Sequence, residues 1–291
     1  DAVGGVIAIT TNNYHNYRLL AMPSSRKAIR DKMTGNKDYS YQMSSKIGSF
    51  GSQMLYSNLA LNSGTATTDA YAELTRIDGP SYANPNYLAI DSAPPNYRSF
   101  YNQERAGISQ SYHWNSGWSQ YVRLGYDRRE FNAKYFYTNS SYDESVEEVE
   151  RYWGQLSTRK EIGNWGLEVD GMIHQTTDFF DFNPNFNPNE HTTTQAQFHT
   201  ALSSLSGSKL DYSLGVQALH KNIKSTDRGN HDRTGFASYV MLRESWELNE
   251  ANYPQFITLN LSLRAHYDPS YQVKFIPQVS AKWLHRWGIL Q

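Results

Sequence analysis

From Asp38 onward, apolar and polar side chains alternate with a period of two, in segments of about ten to sixteen residues separated by turn residues. The clearest runs from Phe256 to Tyr267, where Ile257, Leu259, Leu261, Leu263, Ala265 and Tyr267 alternate with Thr258, Asn260, Ser262, Arg264 and His266. Successive side chains of a strand point to opposite faces, so this segment has one apolar and one polar face. Trp165, Leu167, Val169 and Ile173 oppose Glu168, Asp170 and His174 in the same way, and Leu210, Tyr212, Leu214 and Val216 oppose Asp211, Ser213 and Gln217. Near the end, Val273, Phe275, Val279 and Trp283 oppose Gln272, Lys274, Gln278 and Lys282. Glu150 to Lys160 and Gly235 to Trp246 alternate only in part. About twelve strands are expected by this criterion, at 40–48, 53–62, 68–77, 99–113, 117–138, 146–161, 164–175, 193–205, 208–222, 234–247, 255–267 and 270–284.

The connections alternate in length. Trp114-Asn115-Ser116-Gly117, Glu161-Ile162-Gly163-Asn164 and Ser206-Gly207 are short, whereas 79–98, 138–145, 176–192 and 222–233 are long. In an up-and-down barrel every second connection lies on the same rim, and outer-membrane barrels put short turns in the periplasm and long loops outside. The first hairpin around Phe50 and the turn at Asp268-Pro269-Ser270 are short on the expected outer side. The stretch 117–138 is about twice as long as a bilayer requires, so its second half, with Arg128, Arg129, Lys134, Tyr135 and Tyr137, should project as an extended hairpin.

Composition agrees with a wall that is wet on one side. Hydrophobic residues make up 38% and aromatic residues 14% of the chain, with 22 Tyr, which is polar for a packed core and too aromatic for a disordered chain. A transmembrane barrel has one residue in two facing a wet lumen, and Tyr and Trp gather at the lipid–water boundaries. No stretch approaches the roughly 18 apolar residues of a membrane-spanning helix. A net charge of -1 with no basic run speaks against nucleic acid as a partner. The absence of cysteine removes disulfides, thiolate metal sites and thiol catalysis.

The first eleven residues, Asp1-Ala2-Val3-Gly4-Gly5-Val6-Ile7-Ala8-Ile9-Thr10-Thr11, read as a glycine turn feeding a short strand. Their wording, carried by Gly4, Gly5, Val6, Ile7, Ile9 and Thr10, resembles the end of the plug domain of TonB-dependent outer-membrane receptors. The Gly48-Ser49-Phe50-Gly51-Ser52 turn and the Glu104-Arg105 pair resemble the early barrel of the same family. The resemblance implies an all-β fold, an antiparallel up-and-down transmembrane β-barrel of about 22 strands occluded by a plug. Residues 1–37 would be the end of the plug and its connection, and 38–291 the N-terminal part of the barrel with long extracellular loops. It also implies a bacterial outer-membrane location and energised uptake of a scarce metal chelate, siderophore-bound iron first, with haem, cobalamin or an oligosaccharide as other ligands. The partners implied are outer-membrane lipid, the TonB complex engaged through the plug's N-terminus, the chelate, and a surface lipoprotein or other envelope protein. The chain departs from the family pattern in carrying little plug, about twelve strands and no closing aromatic strand, so an internal piece of a receptor is expected. Two rival readings are a small complete barrel, acting as a passive pore or adhesin, and a soluble β-sandwich that binds carbohydrate.

No Walker loop, dinucleotide fingerprint, zincin helix or nucleophile elbow is present, and no spacing isolates a triad, so no enzyme, cofactor or resident metal is expected. The acidic run 143–150 reads as a solvated loop and strand tip in preference to a cation site. Ligand capture is assigned to the outer loops. In 176–192, Phe179, Phe180, Phe182 and Phe186 stand among Asn, Asp and Pro, flanked by His191, and exposed rings are costly unless they bind something. Tyr82, Tyr87 and Tyr97 offer rings in the earlier loop, while Arg228, His231 and Arg233 offer cations suited to the oxygens of an anionic chelate. Rings and cations are expected to converge over one mouth.

Overall fold

In the computed structural model, which describes residues 38–84, 95–205, 210–248 and 255–285, the alternating segments form strands. In chain order they are β1 (Asp38–Ile47), β2 (Gln53–Asn62), β3 (Ala66–Ile77), β4 (Ser81–Ala83), β5 (Asn96–Arg98), β6 (Tyr101–His113), β7 (Trp118–Asn132), β8 (Val146–Ile162), β9 (Trp165–Asp181), β10 (Asn189–Ser204), β11 (Leu210–Ser225), β12 (His231–Leu248), β13 (Gln255–Asp268) and β14 (Gln272–His285). Twelve of them make one antiparallel sheet in strict sequence order, β1-β2-β3-β6 and on to β14, while β4 and β5 form a small hairpin of their own. This is one meander, which excludes the two packed sheets of a sandwich. Its ends, β1 and β14, do not pair with each other, so the twelve strands alone do not close. The plug-end residues Gly4, Gly5, Val6, Ile7, Ile9 and Thr10 lie outside the described residues, as does Tyr87.

The register sets the tilt. A line of directly paired residues runs Tyr39, Leu61, Thr68, Gln110, Val122, Leu156, Gly171, Phe198, Ala218, Phe236, Tyr267, Val273. It starts one residue from the short-turn end of β1 and finishes twelve residues from the corresponding end of β14. The climb is therefore one residue per strand. At about 3.3 Å per residue and 4.8 Å between strands, that stagger tilts the strands by about 35°, within the range of outer-membrane barrels.

The same line separates two faces. Leu59, Leu74, Ile108, Leu124, Leu156, Ile173, Leu214, Leu261, Leu263 and Val279 all share the apolar face, and all are exposed. Aromatic belts bound this face. Tyr39, Tyr112, Trp118, Trp165, Tyr212, Trp246 and Trp283 lie toward the short-turn rim; Tyr126, Tyr152, Phe236, Tyr267 and Phe275 lie toward the other. Trp118 and Tyr126 are about 26 Å apart along β7, or about 22 Å along the normal at this tilt, the scale of the lipid-facing band.

The opposite face is polar and paired across strands. Glu73, Arg105, Asp127 and Arg151 stand side by side on β3, β6, β7 and β8 with alternating charge, and Arg105 donates to Glu73 at 2.5 Å. Further round, Arg159 donates to Glu168 at 2.7 Å, and His199 lies 3.1 Å from Asp170 and 2.8 Å from the Tyr239 hydroxyl. On this face Trp153 lies across Gly125 and Tyr239 across Gly215, where any Cβ would collide with the ring. The glycines let large rings lie flat against the wall, pinning register between neighbours.

Four expectations are corrected. The stretches 176–192 and 222–233 are mostly strand, not loop: Phe179 and Phe180 belong to β9, His191 to β10, and His231 and Arg233 to β12. Their Thr-rich sequences pair directly, Thr177 with Thr192 and Thr176 with Thr193. Beyond the membrane both faces are wet, so a strand there need not alternate. Conversely β7 stops at Asn132, because the Ala133 N–H turns to the Ser145 carbonyl at 2.9 Å and Phe136 N–H closes a turn on Ala133. Within 79–98, β4 and β5 place Tyr82 opposite Tyr97.

The faces give a direct test. Cysteine at position 260 should react with water-soluble reagents in intact membranes and cysteine at 259 should not; equal labelling overturns the assignment. Leu261→Arg should destabilise the assembled wall by about 2 to 4 kcal/mol, measured by unfolding in lipid vesicles.

Candidate functional site

Above the outer aromatic belt, three hairpin tips are joined: the β4–β5 hairpin, the loop 133–145 between β7 and β8, and the loop 182–188 between β9 and β10. Their centre is Asp143, fully buried, which accepts the Tyr135 N–H at 2.8 Å, the Ser145 N–H at 2.9 Å and the Ser145 hydroxyl. That hub holds Tyr135 in a left-handed backbone conformation at φ 64°, which a bulky residue adopts only when its surroundings enforce it.

Tyr135 then ties the first tip. Its hydroxyl donates to Asn84 at 3.0 Å, and its ring meets Tyr97 edge-on at 5.2 Å, with Tyr97 stacked on Tyr82 at 5.6 Å. Burial raises the Tyr97 phenol above its ordinary range, helped by Tyr82 and Tyr135. The third tip is tied by Glu144 N–H donating to the Phe182 carbonyl at 3.1 Å and Asn183 donating to the Tyr142 carbonyl at 2.9 Å. Toward the polar face, Tyr137 donates to Glu147 at 2.8 Å and packs edge-on against Phe180 at 5.4 Å. That hydrogen bond, before burial, raises the Tyr137 phenol.

The expected residues thus fall into two groups. Tyr82, Tyr97, Phe180, Phe182 and Phe186 join the interlocked tips, with Phe182 and Phe186 edge-on to each other at 5.8 Å; Phe179 sits beside them on the other face of β9. The cations lie further round the rim. His191 meets Ser225 at 2.8 Å and Asp227 at 3.6 Å, and His231 meets the Arg228 carbonyl at 2.9 Å. Arg228 is largely exposed, 3.9 Å from Asp227. Arg233 donates to Asp268 at 2.5 Å and lies over Tyr271 at 5.3 Å. The Phe loop bonds to its β7–β8 neighbour through Asn183 and Phe182, while the base of the same hairpin bonds to the 222–233 stretch through Glu190 and Thr226.

The residues that organise the tips, Asn84, Tyr135, Tyr137, Asp143 and Glu147, were outside the expected set. The tyrosine-rich stretch after Arg129 was their one visible signal. The acidic run is occupied piecewise, Asp143 as the hub, Glu147 by Tyr137, Glu148 by Arg128 at 2.8 Å and Glu150 by Tyr152 at 2.8 Å. Among the described residues no group of three or more His, Asp or Glu is placed to hold a metal ion.

A staggered meander with an apolar outer face, aromatic belts and elaborated tips on one rim is the wall of an outer-membrane β-barrel. More particularly, it has the fold of the TonB-dependent outer-membrane receptors. The outer-membrane transporter YddB from Escherichia coli superposes with a TM-score of 0.60 at 11% identity, over 84% of this chain and 41% of that one. The ferric enterobactin receptor PfeA from Pseudomonas aeruginosa, as its G324V mutant, gives 0.58 at 11% identity over 84% and 41%. The siderophore receptor PirA from Acinetobacter baumannii gives 0.60 at 8% identity over 84% and 40%. The chain thus spans about two fifths of the length of these structures. No family model and no curated protein matches the sequence.

Two tests follow from this geometry. Asp143→Ala should leave buried N–H donors unsatisfied, each costing about 1 to 3 kcal/mol; proteolysis within 133–145 should rise sharply while strands stay protected. At the next tip, the Arg233 hydrogen bond holds the Asp268 carboxyl below its ordinary range. The contact therefore stabilises the tip above the ordinary carboxylate pKa and is lost as pH falls through the depressed value. Hydrogen exchange at 268–271 should rise in acid, and should lose that pH dependence in Arg233→Gln.

Proposed function

We propose that the chain forms part of the wall and ligand-capturing rim of a TonB-dependent receptor that takes up a scarce metal chelate across the bacterial outer membrane. Residues 1–37 are the end of its plug and 38–291 the first part of its barrel. Siderophore-bound iron is the first choice of cargo, in line with the receptors of ferric enterobactin and of siderophore named among the similar structures; haem, cobalamin and oligosaccharide are the alternatives. Energy reaches the plug through TonB, and neither chemistry nor a resident cofactor is required of the wall. A surface lipoprotein docking on the tips is a further partner of this reading.

The observation that carries the reading is the joining of three hairpin tips around the buried Asp143, with the Tyr137 and Phe180 rings packed together on the lumen side. A passive pore needs no such interlock. A barrel of these strands alone would also leave the edges of β1 and β14 unpaired in lipid, where each unsatisfied backbone group costs several kcal/mol.

The test uses cells that depend on the full-length receptor. Deleting 182–188 should abolish growth on one iron or cobalamin source while surface display of the receptor is kept. Unchanged growth on every source that wild type uses removes the tips from ligand capture.

A further inference from the structure

The reading of the rim as a ligand site can be narrowed to the charge of what it holds, and the inference rests on that reading. Between Ala133 and Glu147 and between Asp178 and Glu190, the sequence carries eight aromatic rings and six carboxyl groups against one cation, Lys134. That ammonium already lies over the Tyr135 ring at 5.3 Å. The arginines expected here are elsewhere, with Arg233 bound to Asp268.

On the lumen side, Phe180 stands directly across from Glu147, and Asp178 lies two residues along β9 on the same face. Glu147 takes the Tyr137 hydroxyl on Oε2, and its other oxygen has no hydrogen bond of that kind. Asp178 Oδ1 is buried without a hydrogen-bond partner, although His191 stands opposite it, because the His191 ring turns to Ser225. Neither nearby lumenal guanidinium, Arg151 diagonal to it on β8 or Arg129 across Val149 on β7, is hydrogen-bonded to Asp178 Oδ1. A carboxylate oxygen only accepts, so whatever completes Asp178 must donate. Tyr137 and Phe180 meet edge to face at 83°, which leaves one ring's π face uncovered by the other.

We propose that this crest binds an organic cation, an ammonium or guanidinium group set against the Tyr137 and Phe180 rings and between the Glu147 and Asp178 carboxylates. Ring faces are negative and attract cations within about 6 Å, and the carboxylates supply charge-assisted hydrogen bonds to N–H donors. A chelate whose recognised end carries an amine or guanidine fits; one that presents only carboxylate or sulfonate oxygens does not.

The test is equilibrium binding of three small probes to the full-length receptor in detergent micelles: benzylammonium, benzyl alcohol and benzenesulfonate, followed by saturation-transfer NMR. The ammonium should bind tightest and weaken as salt rises. Glu147→Gln with Asp178→Asn should weaken the ammonium by about tenfold and leave benzyl alcohol unchanged. Tyr137→Phe, which frees Glu147 and keeps the ring, should bind the ammonium at least as tightly as wild type. Sulfonate binding as tight as ammonium, or an unchanged ammonium affinity in the double variant, overturns the charge assignment while leaving a ligand site in place. Binding of none of the three overturns the assignment together with the reading of the crest as a ligand site.

Discussion

The wall is held by its backbone ladder and not by a core. Among the described residues the buried hydrophobic side chains are Ala133, Val149, Ala201 and Ala237, none of them large. In lipid no solvent can satisfy a strand's N–H and C=O groups, so each strand must find them in its neighbours. From that requirement follow the strict sequence order of the sheet and the near absence of irregular backbone between the belts.

Once the ladder carries the structure, side chains are released for other work. The outer face matches lipid. The inner face balances charge across strands, as in the Glu73, Arg105, Asp127, Arg151 line. The one-residue climb per strand couples these two roles, since it tilts every row and lets the sheet curl. Rings lying on Gly125 and Gly215 guard the register, because a slip by one residue would turn charges such as Arg159 and Glu168 into lipid.

This division explains what was legible in the sequence. Within the membrane band, period two is enforced by two different solvents, and all twelve wall strands were readable there to within a few residues. Above the band both faces meet water, so Thr176, Thr177 and Thr192 to Thr194 form strand without alternating. The rings of the rim were visible by composition, but their partners were not. The β9–β10 hairpin has a neighbour on each side of the same rim; the Asn183 and Glu144 hydrogen bonds tie its loop to β7–β8, while Glu190 at its base bonds to Thr226 on the other side. Asp143 looked like one member of a solvated acidic run; its role comes from backbone donors that no spacing reveals.

The rim also shows how a ladder fold obtains a precise site. Tips of a meander are joined to the wall only through their own two strands, and each would otherwise move independently. Here polar hubs replace the missing core: one buried carboxylate orders Tyr135, Tyr135 reaches Asn84 on one neighbour, and Tyr142 receives Asn183 from the other. Three hairpins thereby share one set of constraints. Rings such as Tyr137 and Phe180, which come from different hairpins, keep a fixed mutual geometry, and exposed aromatics that would be a liability on a loose loop become a preorganised surface. Because two of the hub's three donors are backbone amides, the arrangement depends on loop conformation more than on the identity of surrounding side chains other than Ser145. The outward residues of the same loops can then vary in chemistry without unfastening the three tips.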